Sequence, residues 1–487
     1  MPRLSKSRIM SSLQCLRRLH LEVNRPELAV MSARTQIAFD IGHRVGDIAV
    51  QIYGGGAGEY IEYEAGLGTA LEQTRELLRA RPREPVFEAT LEHGGVLVRE
   101  DVLLPQQGGW HIVEVKASTR LKDEHVQDCA IQAWVHEGAG FSFERFSLAH
   151  IDNQFVYPGD GDYAGLLVEE DLTCEVRQLQ HSVPLWVEAA MAAADGPEPK
   201  LAVGQHCFTP YECPFFRHCW PVDSDYPVHG LKGSRKKLGQ LVSKGYSDIR
   251  EVPGETLTSE NQYRIWRVTR QGVPEILPAA GAFVSGLDWP RFYLDFETVG
   301  PAVPVWPGTR PYEVLPFQWS CHVERAPGEL HHEEFLDMSG EPPMRALAEA
   351  LIAVLGDRGP VLMYTAYEKG VIMALAARFP DLAGPLQAIV SRLVDLYPVT
   401  KASYYHPDMM GSWSIKAVLP TIDPSMDWEK LEGVHEGSEA STAWLDAVHS
   451  NDERHREAVR RQLLEYCRFD TEAMVRLVRF FEQTKVR

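Results

Sequence analysis

The stretch RFYLDFETVG, residues 291–300, constrains the fold more than any other, because it sets Asp295 and Glu297 two residues apart inside an apolar, strand-like run. Alternation along a strand sends both carboxylates out of one face, while Phe292, Leu294 and Phe296 leave the other. Two neighbouring acids in an apolar setting repel each other and lose hydration, a cost that hard divalent cations relieve. A metal site is therefore the first expectation.

Two later segments supply further acids. In VLMYTAYEKGVIMALAARF an apolar strand over 361–364 runs through a short turn into a helix that carries Glu368. Near the C-terminus, EAVRRQLLEYCRFDTEAMVRLVRFF reads as a long amphipathic helix with Val459, Leu463, Tyr466, Met474 and Leu477 on its apolar stripe. Asp470 falls on that stripe four residues after Tyr466, so the two side chains project together. The order acid-x-acid on a strand, acid at a strand-to-helix turn and Tyr-x-x-x-Asp on a late helix resembles the tyrosine-bearing branch of the DEDD exonucleases, an RNase H-like superfamily. That resemblance implies that Asp295, Glu297, Glu368 and Asp470 hold two divalent metals, Mg2+ or Mn2+, and that Tyr466 orients the attacking water. The family's middle acid is usually Asp after an Asn-containing stretch; here it is Glu368 after Thr365, with Asp395 in RLVDLYPV as a neighbouring alternative. GSWSIKAVLP, residues 411–420, resembles the Ser-Leu-Lys segment that often follows in such folds.

In the N-terminal half, PVFEATLEHGGVLVREDVLLPQQGGWHIVEVKA, residues 85–117, reads as strands separated by HGG and QQGG turns. With QQGG as the hairpin loop, Asp101 lies across from Glu114, and Glu114 and Lys116 share one face of the last strand. Two acids of this kind can hold a water-activating divalent metal, and the lysine can steady the nucleophile or the developing phosphate charge. The set resembles the RecB-like branch of the PD-(D/E)xK nucleases, which puts Asp101, Glu114 and Lys116 in the catalytic positions and Glu88 in that of an accessory metal-binding acid. Gln132 in QDCAIQAWVHEGAG matches the glutamine of the helix that follows. Branch members often carry a histidine ligand near the N-terminus; DIGHRVGDIA offers Gly46 flanked by His43 and Asp47, so that ligand is missing or moved.

The chain has 8 cysteines, and in a cytoplasmic protein these do not make a disulfide framework. Cys129, Cys174, Cys321 and Cys467 are isolated, and burial as small apolar residues is the expectation for them. Cys207, Cys213 and Cys219 recur in QHCFTPYECPFFRHCW, and together with Cys15 they bracket the RecB-like motifs. In RecB-like nucleases of the iron–sulfur type, one upstream and three downstream cysteines ligate a [4Fe-4S] cluster, which the resemblance extends to these four; structural Zn2+ is the alternative.

At 487 residues, 44% of them hydrophobic and 24% charged, the chain has room for two large soluble domains and a connector. The motifs divide it into a RecB-like domain over 1–225, a helical connector over 226–285 and an RNase H-like domain over 286–487, while residues 49–80 and 141–200 read only as helices and loops. The formal net charge of -19 argues against a general nucleic-acid coat, yet residues 1–25 hold six Lys or Arg against one acid, giving +5, and residues 231–275 hold nine against five, giving +4. Both segments could meet phosphates. No apolar run is long enough for a bilayer and the N-terminus lacks a signal-peptide core, so a cytoplasmic protein is expected.

The two motif sets and the bracketing cysteines together resemble a bacterial group of RecB-family nucleases with a C-terminal RNase H-like domain. That implies a two-domain α/β nuclease acting on DNA, at single-stranded ends in repair or defence, by metal-assisted water attack. A nucleic-acid-binding adaptor with weakened chemistry and an RNA-trimming exoribonuclease are the alternatives.

Overall fold

Strand-period alternation over residues 85–117 builds the centre of the first sheet. The computed structural model describes residues 4–31, 33–64 and 66–484 and is mixed α/β throughout. Contacts divide it into one unit comprising Met1–Trp220 with Pro301–Tyr312, and a second comprising Pro221–Gly300 with Glu313–Arg487.

The first unit has short strands β1 (Leu4–Ser5) and β2 (Glu59–Tyr60), then β3 (Val86–His93), β4 (Val96–Pro105), β5 (Trp110–Lys116), β6 (Phe143–Ile151) and β7 (Leu167–Asp171), in the order β2-β3-β4-β5-β6-β7. Gly94 and Gly95 make the first hairpin turn with left-handed φ of 56° and 79°, a region glycine enters freely. The QQGG segment makes the second, and the register Val102↔Val113 and Leu103↔Ile112 carries Asp101 to the level of Glu114. β1 pairs in parallel with the stretch of β4 around Val96 and Leu97, and this anchors helix α1 (Lys6–Gln14) beside the sheet, followed by α2 (Leu16–Asn24). Helices α3 (Ala33–Gly54), α4 (Leu67–Ala80) and α5 (Asp123–Gly138) complete the frame; Cys129, Ala130, Ile131 and Ala133 of α5 join Val86, Leu91, Ile112 and Leu148 in the core.

Residues 141–200 depart from the expectation of helices and loops, since β6 and β7 lie there. FERFSLAHI forms β6 between β5 and β7 and is continuously buried from Phe146 to Ala149, so it lacks the polar alternation that marks a half-exposed strand.

In the second unit, β9 (Arg291–Val299), β10 (Leu315–Glu324), β11 (Leu330–Leu336), β12 (Val361–Met363) and β13 (Leu393–Asp395) form a mixed sheet of order β11-β10-β9-β12-β13. The β11-β10-β9 pairings are antiparallel and the β9-β12-β13 pairings parallel. Helices α6 (Tyr367–Arg378), α7 (Leu396–Ser403), α8 (Ile415–Val418), α9 (Gly437–His449) and α10 (Glu453–Gln483) pack around it. Residues 226–285, expected as a connector, are helical but cluster with this unit. A two-stranded pairing of β8 (Glu275–Ile276) with β14 (Tyr404–Tyr405) ties them in, and Gln262 donates to the Lys232 carbonyl at 2.7 Å.

Candidate functional site

The apolar stripe of α10 packs on β9 and β10, and polar groups facing it fix the register. Gln318, paired with Glu297 across the strands, donates to the Leu463 carbonyl at 2.8 Å; Ser320, paired with Asp295, meets the Thr471 hydroxyl at 2.9 Å. The face that carries Asp295 and Glu297 is therefore the face α10 covers, as alternation requires.

Asp295, Glu297, Glu368 and Asp470 converge there. Glu297, Glu368 and Asp470 are buried and Asp295 is half-buried. Burial, then repulsion from Asp470, Glu297 and Glu368, pushes the Asp295 carboxyl well above the usual range; burial and Asp470 do the same for Glu297. Glu368 is pushed up to about 8, chiefly by burial, and stands within hydrogen-bonding reach of Asp295. Asp470 rises to about 6 through burial, against the opposing charge of Lys416 and hydrogen bonds from Trp428 and Tyr466. Oε2 of Glu368 is buried with no hydrogen-bond partner.

Glu368 is delivered by the turn between β12 and α6, where Thr365 adopts a left-handed φ of 95°, a conformation that costs a β-branched residue about 1–3 kcal/mol. Asp395, the alternative acid, is otherwise employed: it accepts from the Thr365 amide at 3.0 Å and from the Tyr397 amide at 2.9 Å, capping α7.

Four residues near these acids had no such role in the sequence reading or none at all. Lys416 donates to the Tyr466 hydroxyl at 2.9 Å and to the His435 carbonyl. Trp428 donates its indole N–H to Asp470 Oδ1 at 2.8 Å. Cys467, expected only as an apolar filler, is buried with Sγ 3.7 Å from Asp295 Oδ2, and ligand atoms of Asp295, Glu297 and Cys467 lie within 4.8 Å of one another. Gly437, at the start of α9, leaves Glu297 Oε2 3.5 Å from where a Cβ would stand.

The first unit also assembles its expected set, with one addition on each side. Gln132 donates to Glu114 Oε2 at 2.6 Å, and Asp101 Oδ2 accepts from the Val115 amide at 2.7 Å. Lys116 pairs with Glu114 and with Asp128 Oδ2, the latter at 2.7 Å. Lys6, from α1, pairs with the same two acids, at 2.8 Å from Glu114 and 3.2 Å from Asp128. Burial alone would raise Glu114, but the ammoniums of Lys116 and Lys6 outweigh it and hold that carboxyl well below the usual range. Asp101 moves the other way, pushed well up by burial and by Glu114. Glu88 is ion-paired with Arg99 at 2.9 Å, yet burial outweighs that partner and raises its carboxyl above the usual range. Neither Lys6 nor Asp128 was singled out by the sequence motifs, although Asp128 stands four residues before Gln132 on α5, hence on its face.

Cys15, Cys207, Cys213 and Cys219 line one small cavity. All four are free thiols, and burial pushes Cys213 and Cys219 up to about 11, with each raised further by neighbouring cysteines. Cys129, Cys321 and Cys467 are buried as expected, whereas Cys174 is exposed.

Fold and site together define a mixed α/β protein with a buried carboxylate centre in its second unit. A family model described as a domain of unknown function (DUF2779) matches residues 292–414, a stretch that holds Asp295, Glu297 and Glu368 and stops short of Lys416, Tyr466 and Asp470. No curated protein matches the chain. A solved structure described as "Crystal structure of SSO0001" is similar over 44% of this chain and 85% of that chain, at 14% identity and a TM-score of 0.25, a score too low to carry an argument. Among the described residues no helix is long and apolar enough to cross a membrane.

Proposed function

We propose that the chain is a metal-dependent nuclease that hydrolyses phosphodiester bonds in DNA, with an RNase H-like, DEDD-type exonuclease centre in the second unit and a RecB-like PD-(D/E)xK domain in the first. One observation carries the reading: carboxylates from β9, α6 and α10 meet in a buried space where loss of hydration, joined by repulsion at Asp295, Glu297 and Glu368, raises their affinity for protons. Such a cluster is stabilised by whatever cation replaces the protons, and its all-oxygen donor set suits Mg2+ or Mn2+. The mixed sheet and the late helix bearing Tyr466 and Asp470 accord with the same reading.

Asp295, Glu297, Glu368 and Asp470 would hold the ions, which when bound acidify water and offset charge on the scissile phosphate. The protein's own groups then act on position. Tyr466, kept protonated by burial and by the carboxylates of Asp470, Glu297 and Asp295, holds its hydroxyl beside Asp470, where it would align the attacking water. That water's oxygen joins phosphorus as the bridging P–O bond breaks; its proton passes to solvent or a free carboxylate, and the leaving oxygen takes a proton from solvent. Lys416 fixes the tyrosine, and Trp428 fixes Asp470.

In the first unit the four clustered thiols suit a [4Fe-4S] cluster, whose binding would tie α2 to the end of that unit. The paired lysines on Glu114 and Asp128 favour a second reading for this domain alone, that of a nucleic-acid-binding module with weakened chemistry, because its acids are already neutralised.

The test is digestion of end-labelled single-stranded DNA in Mn2+ by the parent, Asp295→Asn, Asp470→Asn and Lys116→Ala. Loss of hydrolysis in the two aspartate variants is expected. Equal cutting by all four proteins would refute the assignment, and a loss confined to Lys116→Ala would move the activity to the first unit.

A further inference from the structure

A cavity of about 680 Å3 in the second unit opens beside the acids. Its lining includes Thr365, three residues before Glu368, and Lys416, whose ammonium reaches the Tyr466 hydroxyl. The cavity and the carboxylate centre thus share a wall.

Two kinds of side chain give it character. Lys232, Lys401 and Lys416 line it, with no carboxylate among the described lining residues. Lys416 already faces Asp470 and Glu297, so in a chain of formal charge -19 it is Lys232 and Lys401 that make this cavity locally positive. The aromatic set is Tyr364, Tyr397 and Trp413. Trp413 is buried, its indole donating to the Tyr404 carbonyl at 2.9 Å and its own carbonyl accepting from the Tyr364 hydroxyl at 2.6 Å. Tyr397 is half-buried and lines the cavity. Lys401 lies four residues on from Tyr397, on the same face of α7, with its ammonium 5.7 Å from the ring centres of both Tyr397 and Trp413.

The arrangement is held rigidly. The Asp395 carboxylate fixes both the strained Thr365 turn and the first turn of α7, so the cavity wall and the delivery of Glu368 depend on one side chain. Lys232 and Asn261, which also line the cavity, come from the segment that reads in sequence as a spacer.

Lys232 and Lys401, with no acid in the lining, select an anion, and the half-buried Tyr397 beside Lys401 offers a stacking surface to a base. The volume lies in the range of small-ligand pockets, about 300–1,000 Å3, enough for a nucleotide whose base has left its stack. We propose that this cavity is a nucleotide subsite for single-stranded nucleic acid, in which a backbone phosphate sits against Lys401 and Lys232 and the base stacks on Tyr397. That the bound nucleotide adjoins the scissile bond rests on the nuclease reading; that the cavity binds a single strand does not.

The experiment is fluorescence anisotropy with the full chain in EDTA, using a labelled oligothymidylate, the matching oligouridylate and a blunt duplex. Tyr397→Ala should weaken single-strand binding roughly fivefold or more, and Tyr397→Phe, which keeps the ring, should bind as the parent does. Lys401→Gln should weaken binding and reduce the slope of log affinity against log salt by roughly 0.7 for one lost phosphate contact on a single strand. Lys236→Gln, at an exposed lysine of the same segment that does not line the cavity, should change neither. Duplex affinity should be indifferent to Tyr397→Ala.

The proposal is overturned if the parent binds neither strand, or if Tyr397→Ala and Lys401→Gln bind as the parent does. It is also overturned if thymidine monophosphate competes as well as an equal concentration of strand, which would make the cavity a free-nucleotide site. Hydrolysis in Mn2+, compared between the parent and Asp470→Asn, decides the nuclease reading separately. Cleavage with unaltered variant binding sinks the subsite alone, and weakened variant binding without cleavage sinks the nuclease alone.

Discussion

Lys416 donates a hydrogen bond of 2.9 Å to the Tyr466 hydroxyl, and that hydroxyl in turn hydrogen-bonds the Asp470 carboxylate. The three groups come from a short helix and from two successive turns of α10, so one chain of polar contacts couples the tyrosine's orientation to a carboxylate proposed above as an ion ligand. An ammonium that donates to the phenol oxygen makes its O–H a better donor.

That coupling gives the first prediction. Tyr466→Phe should lower turnover about 10²-fold, the scale of a positioned proton-handling group, while Mn2+ binding measured by calorimetry stays near the parent's. Lys416→Gln should cost about tenfold, since an amide still donates to the tyrosine but carries no charge. Loss of Mn2+ binding in Tyr466→Phe would mean that the tyrosine supports the carboxylates instead.

Glu368 gives a pH prediction whose sign is opposite to that of an ion-paired acid. Its folded value of about 8 lies above the ordinary glutamate value of 4.5, so between those values the folded state holds more protons than the unfolded one, and stability falls as pH rises. In EDTA the melting temperature of the parent should drop from about pH 5 to pH 8 relative to Glu368→Gln, by the equivalent of a few kcal/mol at most. Mn2+ should oppose the drop in the parent. A difference between parent and variant that does not vary with pH would show that Glu368 is not protonated in the metal-free protein.

The two units differ in how their acids are balanced, and Lys6 makes the difference testable. In the first unit Glu114 and Asp128 share two ammoniums, so removal of one leaves buried charge uncompensated. Lys6→Ala should destabilise the metal-free protein by on the order of 3 kcal/mol, seen by calorimetry, and Mn2+ should restore more stability to this variant than it adds to the parent. Equal responses to Mn2+ would mean that Lys6 does not stand where a cation would bind.

Much of the second site is legible in the sequence because it obeys simple periods. The alternation of RFYLDFETVG fixes the face of Asp295 and Glu297, and the four-residue spacing of Tyr466 and Asp470 fixes theirs. The QQGG turn likewise sets Asp101 opposite Glu114. Lys6 is not legible, since only the parallel pairing of Leu4 with Val96 brings position 6 to position 114. Trp428 sits in a short irregular turn with no period to reveal it, and Cys467 reads as an apolar residue until the strand beneath α10 is known. Lys416 does lie in a segment noted for its lysine, but its partner is 50 residues away in sequence.

The cysteine quartet supports the last prediction. Cys15 immediately precedes α2 and the other three lie near the end of the first unit, yet all four line one cavity, and burial, then neighbouring cysteines, raise the thiols of Cys15, Cys213 and Cys219. Four thiolates there repel unless a cation complex neutralises them, and a [4Fe-4S] centre takes four such ligands. A link between such distant residues also restricts the unfolded chain, which stabilises the fold as a closed loop does. Protein purified without oxygen should be brown, with about four irons per chain, and Cys15→Ser should lose the colour and melt at a lower temperature. Zinc in a colourless protein would assign the quartet to a structural Zn2+ site, and the absence of both metals with an unchanged melting temperature in Cys15→Ser would leave the four as ordinary buried thiols.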